Sequence, residues 1–109
     1  MSGNYFVYIV TNAKKRTLYT GMTNDLEQRL VEHYLNRGKE KTYAGRYYCY
    51  HLIYFERYPK PGMAIDREKE IKDWKRAPKE KLISDFNPNW RFLNKDIMQW
   101  PPDPDILSR

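Results

Sequence analysis

Cysteine is nearly absent from this chain: Cys49 is the only one in 109 residues. One thiol builds no disulfide framework, so neither a disulfide-linked partner nor a cysteine-based zinc site is expected. There are only two histidines, His33 and His51, too few for a histidine-rich metal centre. Long apolar runs and signal-like stretches are lacking as well, so no membrane partner is expected and a cytoplasmic location is the default. Acidic residues are the minority charge, 14 against 20 basic ones, leaving a formal net charge of +6. Tyrosine, by contrast, is plentiful, with ten copies. A basic, tyrosine-rich chain favours a polyanionic partner, nucleic acid first among them. The length suits one domain with one core.

The opening residues read as a β-hairpin. Two apolar, β-branched runs, Tyr5 to Val10 and Thr17 to Gly21, flank the polar stretch Asn12 to Arg16. With a pairing centre near Ala13 and Lys14, Tyr8 and Tyr19 become cross-strand neighbours on one face. A helix follows over about Asp25 to Asn36. Thr23, Asn24 or Asp25 can cap it, and Leu26, Leu30, Val31, Tyr34 and Leu35 form its apolar stripe. A basic, tyrosine-laden segment runs from Arg37 to Tyr48, and a strand from Tyr50 to Glu56. After a turn at Tyr58 to Gly62, a second helix is expected from about Met63 to Arg76, stopping before Pro78. A third spans Lys79 to Phe86. The order ββαβαα predicts an α+β fold, a small, mainly antiparallel three-stranded sheet flanked by helices. Residues 1–95 are expected to form the domain and 96–109 a Pro-rich tail, with Trp90, Phe92, Leu93 and Trp100 as anchors.

Chemistry-bearing side chains converge in this arrangement. Arg29 and His33 lie one helical turn apart on the rim of the first helix's stripe. An arginine beside tyrosines presents a planar fork that holds two phosphate oxygens. On the second helix, with Ala64 at the origin, Ile71 and Glu68 fall at about −20° and 40°. Glu68 therefore lies inside the apolar stripe. An inward carboxylate is costly unless it meets a cation. Two readings remain open: a salt bridge, with Lys72 or a first-helix arginine, or a metal ligand at a cleft floor. A lone carboxylate suits Mg²⁺, which keeps much of its water shell. Hydroxyls, guanidinium, imidazole and carboxylate together suit the gripping and hydrolysis of a phosphodiester.

These residues carry a resemblance. The chain resembles a GIY-YIG nuclease domain. Phe6-Val7-Tyr8 corresponds to the first tripeptide of that motif and Tyr19-Thr20-Gly21 to the second. Phe6 stands where the family has glycine, and Thr20 where it has isoleucine. Arg29 matches the arginine of the following helix, His33 the His or Tyr one turn later, and Glu68 the glutamate of a later helix. The stretch Leu82 to Trp90 is similar to the end of small stand-alone bacterial members.

The resemblance implies metal-dependent hydrolysis of DNA, with Mg²⁺ or Mn²⁺ as cofactor. By the same implication Tyr19 is the general base, Tyr8 orients the water, Arg29 holds the scissile phosphate, His33 assists, and Glu68 binds the ion. Asn87 matches a polar residue that closes the site in some members. A tyrosine hydroxyl titrates near pH 10, so at neutral pH its use as a base costs about 4 kcal/mol unless a cation assists it. Binding falls to Arg37, Lys39, Lys41, Tyr43, Arg46, Tyr47 and Tyr48. Their cations track phosphates and their rings stack exposed bases, which favours single-stranded or branched DNA. A non-catalytic nucleic-acid-binding module is the alternative, and a protein-interaction domain using the tail is the third reading.

Overall fold

A computed structural model describes residues 3–103 and Asp105. Pro104, part of the predicted tail, lies outside the described residues. The elements run β1 (Tyr5–Thr11), β2 (Leu18–Thr23), α1 (Leu26–Leu35), α2 (Tyr43–Arg46), β3 (His51–Tyr58), α3 (Pro61–Asp73), α4 (Arg76–Phe86) and α5 (Asn94–Ile97). The three strands form one antiparallel sheet in the order β2-β1-β3. The expected α+β class, a three-stranded antiparallel sheet flanked by helices, is the observed one.

Alternation along β1 splits the core in two. Tyr8 and Val10 point to one face, where they meet Leu26 and Leu30 of α1, Ala44 of α2, Leu52 and Leu93. Val7 and Ile9 point to the other, against Ala64 and Ile71 of α3 and Ile83 of α4. In β3 the register slips between Ile9 and Val10, whose partners are Tyr54 and Leu52. Ile53 is the extra residue of that bulge, and it joins the second core. Ile97, Met98 and Trp100 pack on the first core. Among the described residues, no helix is long and apolar enough to cross a membrane.

Local signals explain most boundaries. Asp25 caps α1, accepting from the Gln28 amide at 3.0 Å, and Thr23 Oγ1 accepts in turn from the Asp25 amide. The hairpin turn is organised by Asn12. Its side chain accepts from the Arg16 amide at 2.8 Å, while Lys15 takes a left-handed φ of 58°. This turn pairs Tyr8 with Gly21 and Val10 with Tyr19. Tyr8 and Tyr19 thus share a face as diagonal neighbours, not as the direct pair expected from a centre at Ala13 and Lys14. The second helix breaks at Trp74 and Lys75 rather than before Pro78. Pro78 sits in the first turn of α4, where amides have no intrahelical partner and a missing N–H costs little.

One glycine is required by this register. A Cβ on Gly21 would stand 2.4 Å from Tyr8 Oη and 2.5 Å from Cζ. The Tyr8 ring is fully buried and has no room to yield. Replacing Gly21 with alanine is expected to destabilise the fold by about 1–3 kcal/mol through overpacking. It should also push the Tyr8 hydroxyl out of place. A lowered midpoint of urea unfolding, with a changed His33 ring signal in NMR, is the result to look for.

Candidate active site

Tyr8 reaches from the central strand to α1. Its hydroxyl lies 2.7 Å from His33 Nε2, and its side chain is wholly buried. The His33 ring meets both tyrosines edge to face, at 5.6 Å from Tyr8 and 5.5 Å from Tyr19. Burial, and then the nearby Arg29 cation, pull the His33 pKa down to about 4, so the imidazole is neutral at pH 7. Burial pushes the Tyr8 pKa well above the usual tyrosine range. Tyr19 and Glu68 reinforce that shift, and Arg29 opposes it. Arg29 has only donors to offer, so the Tyr8 oxygen faces it with a lone pair and the Tyr8 proton is assigned toward Nε2. Tyr8 therefore stays a donor locked to His33 and does not reach the cleft surface.

The cleft lies beside this pair. It has a volume of about 300 Å³ and is lined by Tyr19, Arg29, Glu32, His33, Asn36, Thr42 and Ala44. Arg29 is the cation facing it, with Glu32 beside it. Burial disfavours its charge, but the Tyr8 hydroxyl, Glu32 and Tyr19 outweigh that penalty and raise its pKa further. Glu32 Oε1 is 3.5 Å from Arg29 Nε, a partly exposed i,i+3 pair. Nε itself is buried and has no hydrogen-bond partner among the described residues. A buried donor left so costs about 1–3 kcal/mol.

Glu68 comes to this cluster from α3, on the other side of the sheet. It is not among the residues lining the cleft, yet it is close enough to Tyr8 to act on its titration. Its side chain is 21% exposed, and Oε2 lies 3.6 Å from Lys72 Nζ. The salt bridge with Lys72, one of the two readings of Glu68, is thus present. Lys72 Nζ in turn lies 5.8 Å from the Tyr19 ring centre. Ile65 is exposed, so the α3 stripe is narrower than its sequence suggests and Glu68 sits at the rim.

The basic segment is folded, not a solvated loop. Thr42 caps α2 by accepting from the Gly45 amide at 3.0 Å, and Ala44 and Gly45 are buried. Tyr43 stacks toward Tyr19 with centroids 6.5 Å apart, and Tyr47 meets Tyr43 at 4.9 Å. A line of rings therefore leads from the cleft to solvent. Lys39 and Lys41 line a wider concavity of about 730 Å³ that shares Asn36 and Thr42 with the cleft. Arg37 lies over the Tyr34 ring at 3.8 Å, and Arg46 and Tyr48 are exposed.

Asn87 is elsewhere. It ends α4, and its buried amide donates to the carbonyls of Ile53 and Arg91 at 3.0 and 2.9 Å while accepting from the Arg91 amide. It lines a cavity with Phe55 and Phe86, not the cleft of Tyr19 and Arg29. The matching polar residue of the motif is here a structural clamp. Glu32, Asn36 and Thr42 line the cleft although their sequence positions do not single them out. The i,i+3 spacing to Arg29 could have flagged Glu32. Lys72 had been weighed only as a bland partner of Glu68, and Asn36 and Thr42 gave no signal without the fold of the 36–46 segment.

A model of the GIY-YIG catalytic domain matches residues 4–82. The chain belongs to the GIY-YIG nuclease family. A UPF0213 protein of Natronomonas pharaonis is 39% identical to it over 85 residues, spanning 78% of this chain and 96% of its own length. One from Staphylococcus saprophyticus is 37% identical over 81 residues, spanning 74% and 95%. The solution NMR structure of a UPF0213 protein from Bacillus halodurans has a similar fold. Its TM-score is 0.53 at 28% identity, covering 88% of this chain and 99% of that one.

The depressed His33 pKa gives a signed prediction. The unfolded chain takes up this proton below pH 6.5, the folded one only near pH 4. Stability from His33 is therefore complete above pH 6.5 and is lost as the pH falls through about 4. His51, lowered by burial, acts in the same direction. An NMR titration should find the His33 ring protonating near pH 4; a midpoint near 6.5 contradicts the buried contact. Asn87→Ala, which leaves three backbone groups unpaired, should cost about 2–4 kcal/mol by denaturant unfolding, with activity per folded molecule kept.

Proposed function

We propose that the protein is a metal-dependent endonuclease that hydrolyses DNA phosphodiester bonds, with a preference for single-stranded or branched DNA. The observation that carries this reading is the Arg29 guanidinium at the wall of a cleft that also presents Tyr19 and His33. The planar fork of a guanidinium is suited to the oxygens of a phosphate. In this reading the scissile phosphate sits against Arg29.

Tyr19, once its own hydroxyl proton has left to solvent, takes a proton from the attacking water. Arg29 and Lys72 are the cations nearest that step, one at the cleft wall and one beside the ring. Tyr8 acts through His33: its hydrogen bond fixes the neutral ring that faces the cleft. His33 holds a phosphate oxygen or passes a proton, as its neutral state at pH 7 permits.

The donor set bears on the metal. Among the described residues there is no cluster of three or more His, Cys, Asp or Glu side chains. One partly exposed carboxylate, Glu68, fits an ion that keeps most of its water, such as Mg²⁺ or Mn²⁺, and does not fit zinc or a calcium cage. When bound there, the ion supplies positive charge toward the leaving oxygen. The Lys72 ammonium now beside Glu68 has to give way to it, and a pair this exposed does so at little cost.

The reading is tested with purified protein, DNA of single-stranded, duplex and branched form, and Mg²⁺ or Mn²⁺. Cleavage should vanish with chelator and fall by at least about 100-fold in Tyr19→Phe and Glu68→Ala, with far-UV circular dichroism unchanged. Arg29→Ala should lose turnover more than affinity, since affinity is spread over many cations. A triple Lys39, Lys41 and Arg46 to Ala variant should do the reverse and flatten the salt dependence of binding. Tight binding by a wild type that cleaves nothing would favour the non-catalytic binding module. Full activity in chelator rejects the metal-dependent mechanism.

A further inference from the structure

Another cavity, of about 300 Å³, is lined by His51, Phe92, Asn94, Lys95 and Trp100. None of these residues serves the chemistry above. His51 and Phe92 stack almost parallel, with centroids 4.0 Å apart and planes at 16°. Trp100 is held edge-on to Tyr34 and stacked toward Tyr50. The walls are fixed from behind by Asn94. Its buried amide accepts from the Leu52 amide at 2.8 Å and donates to the Tyr50 carbonyl at 2.9 Å. The cavity is therefore a rigid aromatic slot.

Its rim is cationic. Lys15 Nζ lies 5.2 Å from the Phe92 ring centre, and Lys95 is exposed at the edge. Among the described residues, neither lysine has a carboxylate within ion-pair distance. His51 is packed between Phe92 and Tyr50, at 4.0 and 4.3 Å, and so backs the Phe92 ring from behind, while burial lowers its pKa. An aromatic slot with two unspent cations is complementary to a flat ring that carries a negative group. Tyr34, which touches Trp100 and carries Arg37 on its face, follows His33 in α1.

We propose that this slot is a second nucleotide site, which takes one unpaired nucleotide of the bound strand, its base on Trp100 and on the outer face of Phe92, from which Lys15 swings aside, and its phosphate at Lys15 and Lys95. The proposal rests on nucleic acid as the partner but not on its hydrolysis. A base already paired in a duplex has no free face to offer the slot, whereas a single strand does. Stacking on aromatic side chains tolerates any base, so the site selects unpaired strands without reading sequence.

The test compares the full chain with two variants, Phe92→Ala/Lys95→Glu and Lys15→Glu/Lys95→Glu. Binding of labelled (dT)8 and of a blunt eight-base-pair duplex is followed by anisotropy, and folding by circular dichroism. Both variants should bind (dT)8 roughly ten-fold or more weakly. The Phe92 variant should lose distinctly less affinity for the duplex. Single-turnover cleavage at saturating single strand should be unchanged. The proposal is overturned if both variants bind (dT)8 as the wild type does, or if the Phe92 variant loses (dT)8 and duplex affinity in equal proportion. A wild type that binds (dT)8 through this slot but cleaves nothing removes the hydrolytic reading alone. A wild type that binds neither DNA removes the slot together with its partner class.

Discussion

The fit of the Tyr8 ring over Gly21 ties the candidate site to the core. The ring enters at a position where the facing strand has no side chain, and its hydroxyl ends on His33 of α1. Three elements, β1, β2 and α1, are thereby fixed by one buried side chain. A slip of one residue by β2 along β1 would turn Tyr19 to the other face of the sheet, away from Tyr8. The glycine of the second tripeptide is thus a packing requirement, and the tyrosine of the first is a positioning residue. Building the site on strands and a helix, instead of mobile loops, holds its geometry to within the tolerance of the core.

Burial and charge then divide the roles. Tyr8 and His33 are buried enough to stay neutral, and they transmit position. Arg29 and Lys72 flank Tyr19 from α1 and α3. The weak, half-exposed Glu68–Lys72 pair keeps the carboxylate satisfied without committing it.

Much of this was legible in the sequence because it depends on short-range rules. Alternation and a polar turn gave the hairpin, and Asp25 with the Leu26 and Leu30 stripe gave α1. The spacing of Arg29 and His33 placed both on one rim. The failures have two causes, turn and cap chemistry without a periodic signal and contacts distant in sequence. The turn register was set by Asn12 bonding back to Arg16 and by the left-handed Lys15, which shifted Tyr19 opposite Val10. Pro78 looked like a stop, but the chain broke earlier, at Trp74, and used the proline inside a first turn. Asn87 matched a motif position by order alone, and its partners on β3 and at Arg91 were invisible in one dimension. The fold of the 36–46 segment, which brings Asn36, Thr42 and Tyr43 to the cleft, had no periodic signal at all.

The reach of Glu68 to the site follows from a network that touches no proposed substrate. Glu56 on β3 accepts from the hydroxyls of Tyr54 and Tyr58 and from Arg67 Nε at 2.8 Å. Arg67 also bonds Glu70 and faces the Trp74 ring. The Glu56–Arg67 pair ties α3 to β3 and so constrains the rotation of α3 about its axis. Glu68 is the next residue, turned by about 100°. With β3 at one edge of the sheet and β2 at the other, roughly 10 Å apart, α3 is pinned at Glu56 and presents Glu68 and Lys72 where Tyr19 stands. A partly buried ion pair adds little to stability by itself, because desolvation cancels most of its attraction. Its value here is directional. Without the Arg67 clamp the α3 stripe, with Ile65 exposed and only Ala64 and Ile71 buried, would hold the helix on the sheet but leave its rotation loosely defined. The polar network on one edge of the sheet therefore sets the angle of the carboxylate at the other.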